Sequence, residues 1–201
     1  MRKMRKILAT LLTITVISGT GGVSDASCQT SGSEFSLIEY LETHEIDSYS
    51  EFINVIQSVH PESEDEYRCD PESISEFSIE IDYEDRTVSV LIVNEAILNR
   101  YQIASNSASK SYYSDSGSKI FTISVSGTFS YASGYCNVIS HSGNYSKPSY
   151  STWTSTPTIT SGNITTNKAY VRIYGIARSG SHTKSYSLTL TCDDTGTFTS
   201  Y

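Results

Sequence analysis

Residues 119–131 alternate strictly between apolar and polar side chains. Every second residue from Phe121 to Tyr131 belongs to one row, in which Gly127 replaces an apolar side chain, and serines and threonines stand between them. This period of two is typical of a strand that buries one face of its sheet. Gly127 interrupts the apolar row, which predicts a bulge or bend that lets one strand serve two sheets.

The chain after this segment is rich in serine, threonine and tyrosine and predicts strands throughout. The clearest pair is a hairpin over residues 168–178 and 183–192, with its turn at Ser179-Gly180. The pattern also predicts short strands at residues 135–140, 150–154 and 158–160. Such short, regularly spaced strands favour an antiparallel β-sandwich over residues 119–201.

The chain before residue 101 has a different pattern, which predicts helices as well as strands. Apolar spacing predicts two helices within residues 34–60, with Ser48 or Ser50 capping the second. A hairpin is predicted from Phe77–Tyr83 to Thr87–Val93, and the run Leu91–Val93 suggests that its second strand is covered on both faces. Residues 27–100 are therefore expected to form a small α+β unit.

Charge separates these two regions. Residues 28–100 carry eighteen Asp and Glu against three arginines, a net charge of −15, whereas residues 101–201 have a net charge of +4. Residues 101–118 are rich in serine and almost free of aliphatic side chains, which predicts a linker between two domains. The acidic balance disfavours nucleic acid as a partner because no basic stripe exists to neutralise phosphates.

The first 26 residues have the pattern of a signal peptide. A basic start precedes an apolar run at residues 7–17, and Ser24-Asp25-Ala26 offers small residues to a signal peptidase. The apolar run is too short to span about 30 Å of hydrocarbon. We therefore expect a secreted or extracellular protein, with association to the cell envelope as an option and no membrane span in the mature chain. Asp25 disfavours a lipoprotein anchored at Cys28.

Four cysteines remain after the signal peptide, and an exported protein can form disulfides. Cys136 and Cys192 both lie in apolar strand patterns, which predicts a bridge between them with Trp153 packed nearby. Cys28 and Cys69 could form a second bridge, and a pairing of Cys28 with either sandwich cysteine stays open. No cysteine has zinc-ligand spacing to a histidine, so neither a metal nor a cofactor is predicted.

Several short motifs in residues 118–198 form a pattern that is similar to that of other proteins. They are Gly127–Tyr131, Cys136, Trp153, Gly162-Asn163, Leu188–Cys192 and Gly196. This pattern resembles small exported proteins of Gram-positive bacteria whose C-terminal domain is an uncharacterised β-sandwich. The resemblance implies a fold and an exported location, and it implies no activity. The Cys–Trp–Cys order is also similar to that of immunoglobulin domains, which implies an Ig-like antiparallel β-sandwich for residues 119–201. Leu190 stands where their tyrosine is expected, so the resemblance implies the architecture and not membership of that family.

Catalytic motifs are weak. Asp194-Thr195-Gly196-Thr197 spells the motif of aspartic proteases, which need two such aspartates, and a turn after a strand explains it better. No G-x-S-x-G motif is present, and neither His141 nor His182 lies in a nucleophile context. The sequence therefore does not predict an enzyme, and an extracellular hydrolase is only a second alternative.

One strand face suggests binding. Tyr170, Arg172, Tyr174 and Arg178 share the polar side of the strand at 168–178, and aromatic and arginine side chains dominate binding hot spots. The alternative is an ordinary strand exterior. We expect a secreted, non-catalytic binding or surface-interaction module, with a cell-envelope glycan or protein as partner. The first alternative is a proprotein that releases its cationic C-terminal domain as an antimicrobial or toxin-like effector.

Overall fold

Two antiparallel sheets and two helices make up the described part of the chain. The computed structural model describes residues 35–61, 73–99 and 102–201. The predicted signal peptide, Cys28 and Cys69 lie outside these residues. The elements are, in chain order, α1 (Leu37–Thr43), α2 (Tyr49–Val59), β1 (Ile74–Asp82), β2 (Thr87–Asn94), β3 (Ile97–Asn99), β4 (Ile103–Ser114), β5 (Lys119–Ala132), β6 (Tyr135–Ser146), β7 (Thr158–Thr165), β8 (Lys168–Ser179), β9 (His182–Asp193) and β10 (Phe198–Ser200).

Both helices begin at a serine cap. The Ser36 hydroxyl accepts a hydrogen bond from the Glu39 backbone N–H, and the Ser48 hydroxyl accepts one from the Glu51 backbone N–H, each at 3.2 Å. Such caps satisfy an N–H group that the helix itself leaves unpaired. The predicted cap at Ser48 is confirmed.

Sheet A has the strand order β1-β2-β4-β5-β6, and β3 also pairs with β4. The helices pack on one face of its first strands. Their shared core, the helix core, consists of Leu37, Ile38, Tyr49, Phe52, Ile53, Ile56, Val88, Val90, Ile92 and Tyr113. On β2, Val93 is buried in the other core of the molecule. The prediction that this strand is covered on both faces is confirmed.

Sheet B has the order β10-β9-β8-β7 and packs against the opposite face of sheet A. The sandwich core between them contains the alternating apolar residues of β5, such as Phe121 and Ile123, and the inward residues of sheet B, such as Val171, Leu188 and Leu190. The predicted pair of packed antiparallel sheets is confirmed, and so is the alternation along β5.

The predicted linker is wrong for residues 103–114, which form β4 in the middle of sheet A between β2 and β5. Ala104, Ala108 and Tyr112 are buried on its inward face. The alternate serines lie on the other face, where Ser105 is hydrogen-bonded to Thr128 of β5 at 2.9 Å. A serine-rich composition therefore conceals a strand. Because β4 pairs with both β2 and β5, the described strands of the predicted acidic unit share sheet A with strands of the sandwich.

The strand order also corrects the Ig-like expectation. Apart from β3, neighbouring strands of each sheet follow one another in the chain. Immunoglobulin domains instead connect their strands as Greek keys, so that strands distant in the chain lie side by side. The molecule is a pair of meanders in which the β1–β2 hairpin extends sheet A.

Gly127 does not carry β5 from one sheet to another, because β5 remains in sheet A along its whole length. A Cβ atom at this position would lie 2.5 Å from Cε2 of Phe129 and 3.0 Å from Cγ2 of Val171. Real Cβ atoms essentially never approach a neighbour as closely as the first of these distances. The glycine therefore leaves room for close packing between the two sheets.

The predicted bridge between Cys136 and Cys192 is absent. Both residues are fully buried free thiols, and their side chains approach to 3.9 Å, far beyond a covalent S–S length of about 2.05 Å. The strand pattern correctly places both in the sandwich core, where a cysteine also serves as a small apolar side chain. An apolar pattern alone cannot distinguish a bonded pair from two packed thiols.

Trp153 does not lie beside the cysteines. Thr154 pairs with Arg178 near one end of β8, whereas Cys192 pairs with Ala169 near the other end. These positions on β8 are separated by about 30 Å at the usual rise of a strand. Trp153 instead contacts Phe121, with ring centroids 6.1 Å apart.

We expect the thiols of Cys136 and Cys192 to be unreactive in the native protein. Burial raises the pKa of both thiols, and only the thiolate attacks a disulfide reagent. In a variant that carries Cys28→Ser and Cys69→Ser, a chromogenic disulfide reagent should react slowly at pH 8 and release two equivalents after unfolding. Rapid reaction of the folded variant would contradict the burial, and no reaction after unfolding without reductant would contradict the free thiols.

Candidate functional site

The strand β8 presents its predicted polar face to solvent. Ala169, Val171, Ile173 and Ala177 are all fully buried, whereas Arg172, Tyr174 and Arg178 are exposed and Tyr170 is half-buried. The two faces assigned from the sequence are therefore confirmed. Ile176 also lies on the outer face and is 47% exposed, although the sequence analysis did not include it.

Hairpin geometry fixes which residues neighbour this face. Gly180 has a φ of +57° in the turn between β8 and β9, a conformation that favours glycine. The register that follows places Arg172 opposite Thr189 and Tyr174 opposite Ser187. Each arginine or tyrosine on the outer face of β8 therefore has a hydroxyl side chain of β9 beside it.

Arg172 is held in place by two neighbours. Its guanidinium carbon Cζ lies 5.1 Å from the centroid of the Tyr174 ring, within the range of a cation–π contact. Its Nε donates a hydrogen bond to Oγ of Ser187 at 3.0 Å. These contacts restrain a side chain that is otherwise exposed. The hydrogen bond to Ser187 uses Nε, so the terminal N–H groups of Arg172 are not engaged by it.

Tyr170 leans over the neighbouring strand β7. A Cβ atom added at Gly162, which pairs with Tyr170, would lie 3.4 Å from Cε1 of the tyrosine ring. The ring occupies the space above a residue that has no side chain. The glycine thus allows the aromatic ring to form part of the surface of sheet B.

Together these residues line an open groove of about 690 Å³ on the outer face of sheet B. We call it the β8 groove, and its lining residues are Thr160, Ile164, Tyr170, Arg172, Tyr174, Ser187, Thr189 and Tyr201. Three of the four predicted binding residues line it, and Arg178 does not. Arg172 is the only charged side chain among its lining residues.

A second groove, of about 660 Å³, shares Arg172, Tyr174 and Ser187 with the β8 groove and extends to Lys110 of β4. Beyond it lies a charged cleft where the acidic hairpin meets the C-terminal strands. Lys110 Nζ is 2.7 Å from Glu80 Oε2. Lys184 Nζ lies 2.5 Å from Asp82 Oδ2 and 2.7 Å from Asp85 Oδ2.

Acidic residues of the N-terminal hairpin thus form ion pairs with lysines of the cationic C-terminal region. The hydrogen bond from Lys184 lowers the pKa of Asp82, and the hydrogen bond from Lys110 lowers the pKa of Glu80. Burial alone would lower the pKa of Lys184, but its bonds to the two aspartates outweigh this effect and raise it. The sequence analysis missed these pairs, and the alternation of Glu80 and Asp82 along β1 was the available signal.

We expect Lys184→Met to destabilise the protein at pH 7 by about 1 kcal/mol or less, the usual range for such pairs. Because its folded pKa is lowered, Asp82 contributes stability above its unfolded pKa of about 3.9 and loses it as the pH falls through the folded value. The difference between wild type and variant should therefore shrink below about pH 4. Urea unfolding between pH 7 and pH 3 measures it.

A double-mutant cycle with Asp82→Asn serves as the control, because it separates the coupling between Lys184 and Asp82 from the loss of packing around the lysine stem. A difference between Lys184→Met and wild type that is unchanged at pH 3 would show that the charge of Asp82 is not responsible.

The other sequence motifs have structural roles where they are described. Asp194-Thr195-Gly196 forms the predicted turn, in which Asp193 Oδ1 accepts hydrogen bonds from the backbone N–H groups of Thr195 and Thr197. Asp194 Oδ2 accepts one from the Gly134 N–H at 2.8 Å. Residues 35–61, 73–99 and 102–201 contain no cluster of three or more His, Cys, Asp or Glu that could hold a metal ion.

Comparisons with protein-family models, with curated proteins and with solved structures found no match to this chain. In the part of the chain that the structure describes, no helix is both long and apolar enough to cross a membrane. The functional argument therefore rests on the geometry of the grooves themselves.

Proposed function

We propose that this protein is a secreted, non-catalytic binding module that attaches to a component of the cell envelope through the β8 groove. The observation that carries the proposal is the groove itself, where a restrained arginine and exposed tyrosine rings lie on a rigid antiparallel sheet. Side chains that are fixed before binding lose little conformational entropy when a ligand arrives.

Secretion of the module rests on the signal-peptide pattern of residues 1–26. The position of β4 supports an intact module over a proprotein, because cleavage within residues 101–118 would cut a strand that pairs with both β2 and β5. Mass spectrometry of the culture supernatant tests this point. A species that begins near residue 27 is expected, and one that begins between residues 101 and 118 would favour the proprotein.

Attachment is tested with the full secreted chain and isolated envelopes of the organism that produces it. Wild type should sediment with the envelopes, and a variant with both Arg172→Ala and Tyr174→Ala should remain in solution. Arg178→Ala is the matched control, since it removes an exposed arginine of the same strand that does not line the groove. Equal sedimentation of wild type and double variant, or no sedimentation of wild type, would overturn the proposal.

A further inference from the structure

We infer that the β8 groove binds a glycan chain whose sugar rings carry carboxylate groups, such as a uronic acid polymer. This inference deepens the proposed function and depends on the β8 groove being the binding site. It follows from three properties of the groove, which are its aromatic rings, its neutral hydroxyl groups and its single cation.

The aromatic rings suit sugar rings. Tyr170 and Tyr174 lie on the same face of β8, about 13 Å apart at the usual rise of a strand. Both rings line the same groove of about 690 Å³, with Arg172 between them on the strand, so one ligand of several linked sugars can contact both. A tyrosine ring offers an apolar surface to the C–H groups of a sugar and a polar edge to its hydroxyls.

The hydroxyl rows suit a ligand that both donates and accepts hydrogen bonds. Thr160 of β7 and Ser187 and Thr189 of β9 line the groove on the two sides of β8. A hydroxyl group can act as donor or acceptor, as can each hydroxyl of a sugar. Ile164 is the only aliphatic residue in the lining, so the apolar surface of the groove comes mainly from its tyrosine rings.

Arg172, the single cation of the groove, suits a carboxylate group on the ligand. Arg172 is fixed against Tyr174 and Ser187, so its terminal N–H groups can meet a planar carboxylate in the paired geometry that guanidinium groups favour. No lining side chain carries a negative charge that would repel it.

The test uses the full mature chain and defined oligosaccharides in titration calorimetry. The probe is a hexamer of galacturonic acid, and its methyl ester is the neutral control with the same sugar backbone. We expect the ester to bind at least about tenfold more weakly, as for the loss of a hydrogen bond between charged groups. Arg172→Gln should remove this preference, Tyr174→Ala should weaken both ligands, and Arg178→Gln should match wild type.

The remaining outcomes separate the inference from the proposed function. If polyglutamate binds as tightly as the hexamer, the groove recognises negative charge and not a sugar. If dextran sulfate binds more tightly than the hexamer, the groove prefers sulfate to carboxylate. Either result overturns the inference. If the hexamer does not bind but envelopes still retain wild type and not the double variant, the inference about the glycan is wrong, and the proposal that the β8 groove attaches to the envelope is still supported. If protease treatment of the envelopes abolishes retention, the partner is a protein and the inference is again wrong.

Discussion

Replacing Leu190 with alanine should lower the free energy of unfolding by about 2–5 kcal/mol. Leu190 is fully buried in the sandwich core, where it pairs with Val171 of β8. The substitution removes apolar contacts between the two sheets and leaves a cavity that the antiparallel framework cannot easily close. Urea unfolding monitored by circular dichroism measures the loss.

Ile139→Ala is the matched control, because Ile139 is an aliphatic strand residue that is 55% exposed. Its cost should stay within about 0.5 kcal/mol. A similarly small cost for Leu190→Ala would mean that the inward and outward faces of β9 are assigned the wrong way round.

Gly127→Ala should destabilise the protein by about 1–3 kcal/mol, although alanine is the smallest side chain that can be added. The new Cβ atom would lie 2.5 Å from Cε2 of Phe129, and Val171 of the opposite sheet restricts movement on the other side. The ring must therefore leave its position in the core or the sheets must separate. Thermal and urea unfolding both report the change.

Gly162→Ala provides the comparison for stability. Its added Cβ atom would lie 3.4 Å from the nearest atom, an ordinary van der Waals contact, so little destabilisation is expected. A second variant that combines Gly127→Ala with Phe129→Leu should recover part of the stability if the aromatic ring causes the strain. No effect of Gly127→Ala would show that Phe129 can turn away freely.

Local periodicity predicted the strands that have one buried face. The alternation of β5, β8 and β9 appears directly in the order of residues, because a strand exposes successive side chains to opposite sides. The strand β4 was missed because its inward row is not uniformly apolar. Asn106 and Lys110 stand in that row with Ala104 and Ala108, so the row contrasts little with the serines between them, and the serine-rich composition was taken to indicate a linker.

The candidate site was only partly predictable. The row Tyr170, Arg172 and Tyr174 follows from one strand alone. The other walls come from β7, β9 and Tyr201, and their positions depend on register between strands, which periodicity does not encode. Arg178 shares the row but lies outside the groove. For the same reason the distance between Trp153 and the cysteines could not be read from their order along the chain.

The central position of β4 has a consequence for any truncated chain. A fragment that ends near residue 100 would contain β1 and β2 but would leave the backbone N–H and C=O groups on one side of β2 unpaired. The apolar residues of β2 would then lie along an open edge, which is a template for aggregation between chains. In the folded chain β4 pairs with this edge of β2, so the serine-rich strand covers the edge that such a fragment would expose.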